Sequence, residues 1–273
     1  MAAWDDYMDG AAKINCPTFN VIGNHDYDQG TLFETEQGNI YYESYVGPTH
    51  YSFDLGNIHY MVFNDIMYDR KSPSGKYYYG LDERTLAWVK ADLAYVPKDK
   101  IIVTCSHHNP FKTPNKSPNG SHNAYSLNYK EYLSVFSQYK AVYAWNGHNH
   151  ENFYYNYKGK TTRHGALRFN REIAAKGEPQ GYMVMEVAGD SLSWYYKGVG
   201  TGKETQMRAY TPLKTNDATV KVNIWNWSEG WSTPEWYENG VKVSDMEFTP
   251  GVTSGEIRVT DLFGNVYTEK ITW

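Results

Sequence analysis

The stretch on which the fold prediction depends is residues 145–150, Trp-Asn-Gly-His-Asn-His. An apolar run at residues 141–145 leads directly into it, which predicts a buried strand that ends in a tight loop. Gly147 lets the backbone turn sharply, and the one-residue spacing lets His148 and His150 reach neighbouring positions. A single His-X-His pair is more often an ordinary core or surface feature than a metal site, so the rest of the chain must decide.

The same order of a strand followed by histidine occurs twice more in the chain. Residues 18–22 are strand-like and lead into Gly-Asn-His-Asp at residues 23–26, and residues 101–105 lead into Ser-His-His-Asn-Pro at residues 106–110. Loops at the carboxyl ends of strands are where layered α/β proteins bind ligands. We therefore predict that the three loops converge on a metal ion.

Length and composition indicate one large domain and a small one, and they exclude some classes of function. The chain has 273 residues, a formal net charge of −5 and 41% hydrophobic residues. This mild acidity, without any Lys/Arg-rich run, argues against a general nucleic-acid-binding protein. No apolar segment reaches the length of a membrane span. Cys16 and Cys105 are each predicted to be small buried residues rather than partners in a disulfide.

The aromatic content and the N-terminus bear on where the protein works. The 26 tyrosines and nine tryptophans favour an exported bacterial protein that handles sugars or glycans, although a sheet-rich fold would also favour aromatic residues. Residues 1–8 have neither a basic start nor an apolar core, so no signal peptide is predicted.

Hydrophobic periodicity predicts the elements that carry the three loops. Helices are predicted near residues 4–13, 81–93 and 129–139, and Gly56-Asn57 is predicted to be the two-residue turn of a hairpin. Period-two patterns predict further hairpins within residues 153–164 and 182–196. His59 and His164 are predicted strand residues without a functional role.

A polar stretch near residues 205–215 marks a predicted domain boundary. The first domain would be residues 1–210, and residues 211–273 would form a small antiparallel β-sandwich. Four tryptophans of this tail could stack on a sugar, although core positions are the simpler interpretation for most of them: Trp225, Trp227, Trp231 and Trp236.

Taken together, the three loops resemble three of the five signature motifs of the calcineurin-like metallophosphoesterases. The matching residues are Gly-Asn-His-Asp at 23–26, a strand-terminal histidine at His107 or His108, and Gly-His-Asn-His at 147–150, in the family's order. The resemblance covers roughly residues 1–210, and the tail is similar to a β-domain attached to some bacterial members. It implies an α/β fold of the four-layer αββα sandwich type.

The resemblance also implies a role for each matched residue. Members of the family hydrolyse phosphomonoesters or phosphodiesters at a two-metal centre, and Mn, Fe or Zn suit such mixed nitrogen and oxygen ligands. Asn24, the strand-terminal histidine and His148 would bind one cation, and His150 would reach toward the other. His25 would face the substrate as the general acid for the leaving alkoxide, with Asp26 orienting a histidine nearby.

The choice of ligand between His107 and His108 stays open at this point. His107 is favoured because it comes first after the strand, whereas His108-Asn109-Pro110 has the His-X-Pro spacing that is usual in the family. If His107 binds the cation, His108 is expected to contact the substrate.

The chain departs from the family pattern upstream of residue 23. The motifs Asp-X-His and Gly-Asp-X-X-Asp, whose carboxylates hold the first cation and bridge the pair, do not occur there. We therefore expect an N-terminally truncated member that lacks its first strands and binds cations poorly. An exposed sheet edge would then invite pairing with a second copy of the chain.

Two functions from different classes remain. The first is a metal-dependent phosphoesterase that acts on a small-molecule or glycan-linked phosphoester. The second is a non-catalytic family member or fragment that binds a glycan or a protein through its aromatic β-domain.

Overall fold

A computed structural model describes residues 2–27, 38–68, 77–110, 128–148, 153–157, 160–164, 179–210, 218–225 and 232–272. The helices in these ranges are α1 (Ala2–Ala11), α2 (Ile40–Tyr45), α3 (Glu83–Leu93) and α4 (Tyr129–Phe136). The strands are β1 (Tyr51–Leu55), β2 (Ile58–Val62), β3 (Ile66–Tyr68), β4 (Tyr77–Tyr79), β5 (Ile101–Cys105), β6 (Val142–Asn146), β7 (Phe153–Tyr157), β8 (Lys160–His164), β9 (Gly181–Ala188), β10 (Ser191–Gly198), β11 (Met207–Tyr210), β12 (Lys221–Ile224), β13 (Glu235–Glu238), β14 (Val241–Val243), β15 (Ser254–Thr260) and β16 (Val266–Thr272).

These elements confirm the mixed α/β class, with several sheets and few helices among the described residues. None of those helices combines the length and the apolar character that crossing a membrane requires. The chain divides into two compact units, Met1–Asn149 with Asn156–His164, and His150–Tyr155 with Gly165–Trp273.

The main sheet has the strand order β1-β2-β5-β6-β8-β7. The hairpin of β1 and β2 turns at Gly56, whose φ of +59° suits a residue without a Cβ, so the predicted two-residue turn is confirmed. β2, β5, β6 and β8 then run parallel to one another. The carboxyl ends of β2, β5 and β6 therefore lie at the same edge of the sheet, and this edge carries the candidate site.

Helix α3 shows how local sequence sets an element that supports this sheet. Asp82 precedes the helix in an extended conformation, and its Oδ1 accepts a hydrogen bond from the backbone N–H of Thr85 at 2.6 Å. Such an N-cap satisfies one of the free donors of the first turn. Val89 and Leu93 are fully buried, so this helix face belongs to the core, as its spacing predicts.

Two predictions for the N-terminal segment are wrong. Residues 18–22 are not a strand, because none of the described strands forms a backbone ladder with them. Ile22 is buried, whereas Phe19 is 53% exposed and stacks on Phe53 of β1 at 4.1 Å between ring centroids. Cys16 is an exposed free thiol rather than a buried residue, and Cys105 is a free, half-buried thiol.

The second unit is built from antiparallel pairs. β9 and β10 form a hairpin, and β14-β13-β15-β16 form a four-stranded sheet. One core cluster joins this sheet to the β11–β12 pair, with Met207, Trp236 and Ile257 among its buried members. The core interpretation is confirmed for Trp225 and Trp236, which are 4% and 1% exposed, while Trp227 and Trp231 lie outside the described residues. The division of the chain at residue 210 stays a prediction.

Candidate metal centre

The parallel strands β5 and β6 bring two of the predicted histidine loops together. The backbone N–H of Ser106 donates to the carbonyl of Trp145 at 3.2 Å, and the N–H of Gly147 donates to the carbonyl of His107 at 2.9 Å. These bonds continue the sheet pairing beyond the strand ends. His107 and His148 therefore lie side by side at the carboxyl edge of the sheet, where ligand sites of α/β proteins form.

Three predicted ligand atoms meet at this edge. Nε2 of His107 lies 2.7 Å from Oδ1 of Asn24 and 3.1 Å from Nδ1 of His148. The third side of this triangle, from Nδ1 of His148 to Oδ1 of Asn24, is 3.3 Å. Asn24 comes from the loop after residue 22, so all three loops that the sequence singled out contribute one atom.

Two of the three spacings, 3.1 and 3.3 Å, suit a transition-metal ion, and the third, 2.7 Å between His107 and Asn24, is that of a direct hydrogen bond. Ligand atoms bound to one cation at about 2.1 Å stand roughly 3.0–3.4 Å apart, and two imidazoles with an amide oxygen suit Zn, Mn or Fe. No group of three His, Cys, Asp or Glu side chains with metal-binding geometry occurs among the described residues. The triangle thus consists of two histidines and one asparagine, whose side chain carries a neutral oxygen atom.

Two tyrosines of β4 orient the triangle. The side-chain amide Nδ2 of Asn24 donates to the hydroxyl of Tyr77 at 2.8 Å, and the hydroxyl of Tyr79 lies 2.7 Å from Nε2 of His148. Alternate residues of a strand share one face, so the Tyr-X-Tyr spacing aims both hydroxyls at the site. These contacts hold the opposite atoms, Oδ1 and Nδ1, toward His107. Hydrogen bonds of this kind fix the orientation and tautomer of metal ligands.

The first loop approaches His107 so closely that a side chain at position 23 would crowd the imidazole. A Cβ at Gly23 would lie 3.0 Å from Nδ1 of His107 and 3.3 Å from Oδ2 of Asp26. The backbone N–H of Gly23 donates to that same carboxylate oxygen at 2.7 Å. Asp26 thereby holds the loop against His107.

The backbone of His148 adopts an uncommon conformation. Its φ is +65°, in the left-handed region that residues other than glycine adopt uncommonly, although asparagine, aspartate and histidine occur there more often than the rest. Backbone strain of this kind costs about 1–3 kcal/mol and concentrates at functional sites. The imidazole of His148 therefore reaches the triangle at the expense of local backbone stability.

A buried carboxyl that the sequence analysis missed anchors the loop after β5. Asp65 is 1% exposed, and its Oδ2 accepts a hydrogen bond from the backbone N–H of His108 at 2.8 Å. Burial raises the pKa of Asp65 to about 7, and hydrogen bonds from His108, Ser106 and His107 partly offset that rise. The sequence did contain a signal, because residues 58–62 are strand-like and lead into Asn64-Asp65 just as the other strands lead into histidine.

His107 rather than His108 contributes to the triangle. The ring of His108 is completely buried and stacks on Tyr79, with 3.6 Å between ring centroids. Its Nδ1 lies 3.0 Å from the carbonyl of Asn109. A contact between His108 and the substrate stays a prediction, and in this arrangement the ring has no exposed surface for one.

The remaining predicted residues lie beside the triangle or outside the described residues. His25 is exposed, and Asp26 is half-buried. Burial raises the pKa of the Asp26 carboxyl, and the Gly23 N–H together with the charge of His25 opposes that rise. His150 lies outside the described residues, so its assignment to a second cation stays a prediction.

Comparison with known proteins bears on the family. A family described as the C-terminal part of calcineurin-like phosphoesterases matches residues 154–254. This match begins just after the Gly-His-Asn-His loop and confirms the resemblance to the calcineurin-like metallophosphoesterases. No curated protein matches the chain.

One partly similar solved structure is a Staphylococcus aureus protein described as a 5'-nucleotidase and crystallised with alpha-ketoglutarate. The two chains are 15% identical with a TM-score of 0.29, and the similarity covers 54% of this chain and 28% of that one. This chain therefore corresponds to much less than two thirds of that structure. A similarity of this extent does not define the fold or the substrate of the present protein.

Proposed function

We propose that this chain is part of a metal-dependent phosphoesterase, an enzyme that hydrolyses phosphomonoesters or phosphodiesters. The main support is the triangle of Asn24, His107 and His148, whose ligand atoms lie 2.7, 3.1 and 3.3 Å apart. The match of residues 154–254 to the C-terminal part of calcineurin-like phosphoesterases supports the same class.

The proposal includes the architecture of the family. We propose a four-layer αββα sandwich for residues 1–210 and a small antiparallel β-sandwich for residues 211–273. The largely parallel main sheet is compatible with the first assignment. The core cluster that joins β11 and β12 to the four-stranded sheet supports a layered arrangement in the tail.

A divalent Mn, Fe or Zn ion would be held by Asn24, His107 and His148. When bound there, it supplies positive charge that stabilises the phosphoryl oxygens during attack. The complete family centre holds two such ions, and we assign His150 to the second.

The side chains of this protein prepare the site for that chemistry. In the tautomer of His148 that donates from Nε2 to the hydroxyl oxygen of Tyr79, the lone pair of Nδ1 is directed at the triangle and would bind the cation. His25 is exposed, follows Asn24 in the chain and would donate a proton to the leaving oxygen of a small-molecule phosphoester. The carboxyl of Asp26 interacts electrostatically with His25, which it would orient toward the substrate.

Cation binding and hydrolysis test the proposal together. Isothermal titration with Zn²⁺ or Mn²⁺ should show binding that His148→Ala and Asn24→Ala weaken at least tenfold. His50→Gln is the matched control, because His50 hydrogen-bonds Thr49 and Thr85 in a separate cavity. Release of p-nitrophenol from its phosphate monoester and diester with added Mn²⁺ should follow the same order of variants. Equal cation affinity in all four proteins would contradict the proposal.

A further inference from the structure

A cavity of about 560 Å³ lies in the first unit, and five of the residues that line it are tyrosine or tryptophan. Trp4 and Tyr7 come from α1, Tyr27 from the loop after the first motif, and Tyr41 and Tyr42 from α2. Its volume lies within the range of about 300–1,000 Å³ that is typical of small-molecule sites. Three separate segments thus place apolar ring surface around one space.

The same cavity is lined by the two residues assigned to proton transfer, His25 and Asp26. A Cβ added at Gly23 would lie 3.0 Å from Nδ1 of His107 and 3.3 Å from Oδ2 of Asp26. Because both distances are measured from this one position, the carboxylate of Asp26 and the imidazole of His107 lie close to each other. Asp26 therefore connects the lining of the cavity to the neighbourhood of His107.

The rings of the cavity differ in how firmly they are held. Tyr42 is 3% exposed and meets the ring of Trp4 edge-on at 5.9 Å. Its hydroxyl is buried without a hydrogen-bond partner among the described residues, and burial raises the pKa of Tyr42, so the proton stays available for donation. Tyr7 and Tyr41 are 41% and 47% exposed, which leaves ring surface free to meet a ligand.

The cavity combines aromatic ring surface with polar groups that could hydrogen-bond a ligand. Asn20 and Asp26 offer hydrogen-bonding groups, and the hydroxyl of Tyr7 donates to Oδ1 of Asn20. Aromatic walls favour flat rings, which stack with them face to face or edge to face, over open-chain polyols. A void left by imperfect core packing would instead be small and closed, because protein interiors fill nearly all of their volume.

We propose that this cavity binds the leaving group of the phosphoester and that this group contains a flat aromatic ring, either a nucleobase or a substituted phenyl ring. The proposal rests on the proposed function, because it places the bond to be broken between His25 and the triangle. A ring held among Trp4, Tyr41 and Tyr42 would direct the ester oxygen toward His25.

Binding of the free alcohols tests this proposal without any cation. Isothermal titration of the 273-residue chain with adenosine and with p-nitrophenol should show saturable binding, whereas ribose and glycerol should bind at least tenfold more weakly. Tyr41→Ala should weaken the binding of the aromatic ligand about three- to tenfold, the range expected for one ring contact. Tyr41→Phe keeps the ring and should restore the affinity, and Tyr182→Ala, at an exposed tyrosine of β9, should change nothing.

The possible results separate this proposal from the proposed function. Ring binding that depends on Tyr41 supports the aromatic leaving group even if the chain binds no cation. Equal affinity for adenosine, p-nitrophenol and ribose, or identical binding by the wild type and Tyr41→Ala, would overturn it even if cation binding and hydrolysis are observed. Preference between adenosine and p-nitrophenol then decides between the nucleobase and the phenyl ring.

Discussion

Tyr79 has two functions at the scale of single residues. Its ring covers His108, and its hydroxyl contacts Nε2 of His148. Removing the hydroxyl alone leaves the packing intact and frees the imidazole to rotate or change tautomer. The orientation of the His148 imidazole thus depends on one oxygen atom.

We therefore expect Tyr79→Phe to weaken cation binding without loss of folding. Removal of a hydrogen bond that orients a metal-binding histidine reduces affinity about 10- to 100-fold. Tyr78→Phe is the matched control, because Tyr78 lies on the same strand with its side chain on the opposite face. Titration calorimetry with Zn²⁺ provides the measurement, and a similar small effect of both variants would show that Tyr79 does not orient His148.

His50 should make the folded state sensitive to acid. Burial lowers the pKa of His50, and the nearby Arg84 lowers it further, while Asp82 opposes the change. Glu43 of α2 also faces this histidine, through Thr49. Because the unfolded chain then takes up the proton at a higher pH than the folded chain, stability is complete above about pH 6.5 and decreases as the pH falls below it.

The comparison that isolates this effect is wild type against His50→Gln. Urea unfolding at several values between pH 8 and pH 5 should show the free energy of unfolding of the wild type falling relative to that of the variant. A difference that does not change with pH would mean that His50 titrates alike in the folded and unfolded chains.

The sequence predicted the three side chains that meet in the triangle but not the residues that orient them. Asn24, His107 and His148 each follow a strand-like run or a glycine, which is a local pattern. Tyr77 and Tyr79 act on partners 53 and 69 residues away in the chain, and nothing in a run of three tyrosines indicates those partners. Long-range pairing of this kind is set by tertiary packing and not by local spacing.

At the scale of elements, two glycines should respond in opposite ways to alanine. Gly56 turns the β1–β2 hairpin with a φ of +59°, whereas Gly10 lies in α1 with no atom within 4 Å of an added Cβ. Gly56→Ala should lower the free energy of unfolding by about 1 kcal/mol, and Gly10→Ala should raise it by about 0.5–1 kcal/mol. Urea unfolding of the two variants tests this, and a change of the same sign in both would contradict it.

Element prediction succeeded where partners are near in sequence and failed where they are distant. The hairpins at residues 51–62 and 181–198 and helix α3 depend on local turns, caps and spacing. The run at residues 18–22 has the composition of a strand, but it has no ladder among the described strands. Asp65 was missed because β2 was treated as half of a hairpin, although it also runs parallel to β5.

At the scale of the molecule, the triangle lies wholly within the first unit. We expect Trp236→Ala in the second unit to cost that unit about 3–5 kcal/mol, because Trp236 is fully buried and donates to Glu238 at 3.0 Å. Zn²⁺ affinity should stay unchanged.

Circular dichroism and calorimetry on the same samples provide both measurements. Val241→Ala on the neighbouring strand is the control, since Val241 is 68% exposed. A loss of cation binding in parallel with the loss of tryptophan packing would show that the two units unfold as one.

Pairing of two copies through a sheet edge stays a prediction. β1 is the outer strand on one side of the main sheet. Sedimentation at increasing protein concentration measures whether copies associate there.

The left-handed backbone of His148 narrows the range of sequences that the site can accept. Asparagine tolerates that conformation and carries an oxygen ligand, while glycine relaxes the backbone but offers no ligand at all. In a library randomised at position 148 and selected for cation binding, asparagine should be the leading replacement. Selection for folding alone should enrich glycine, so the two selections would enrich different residues at position 148.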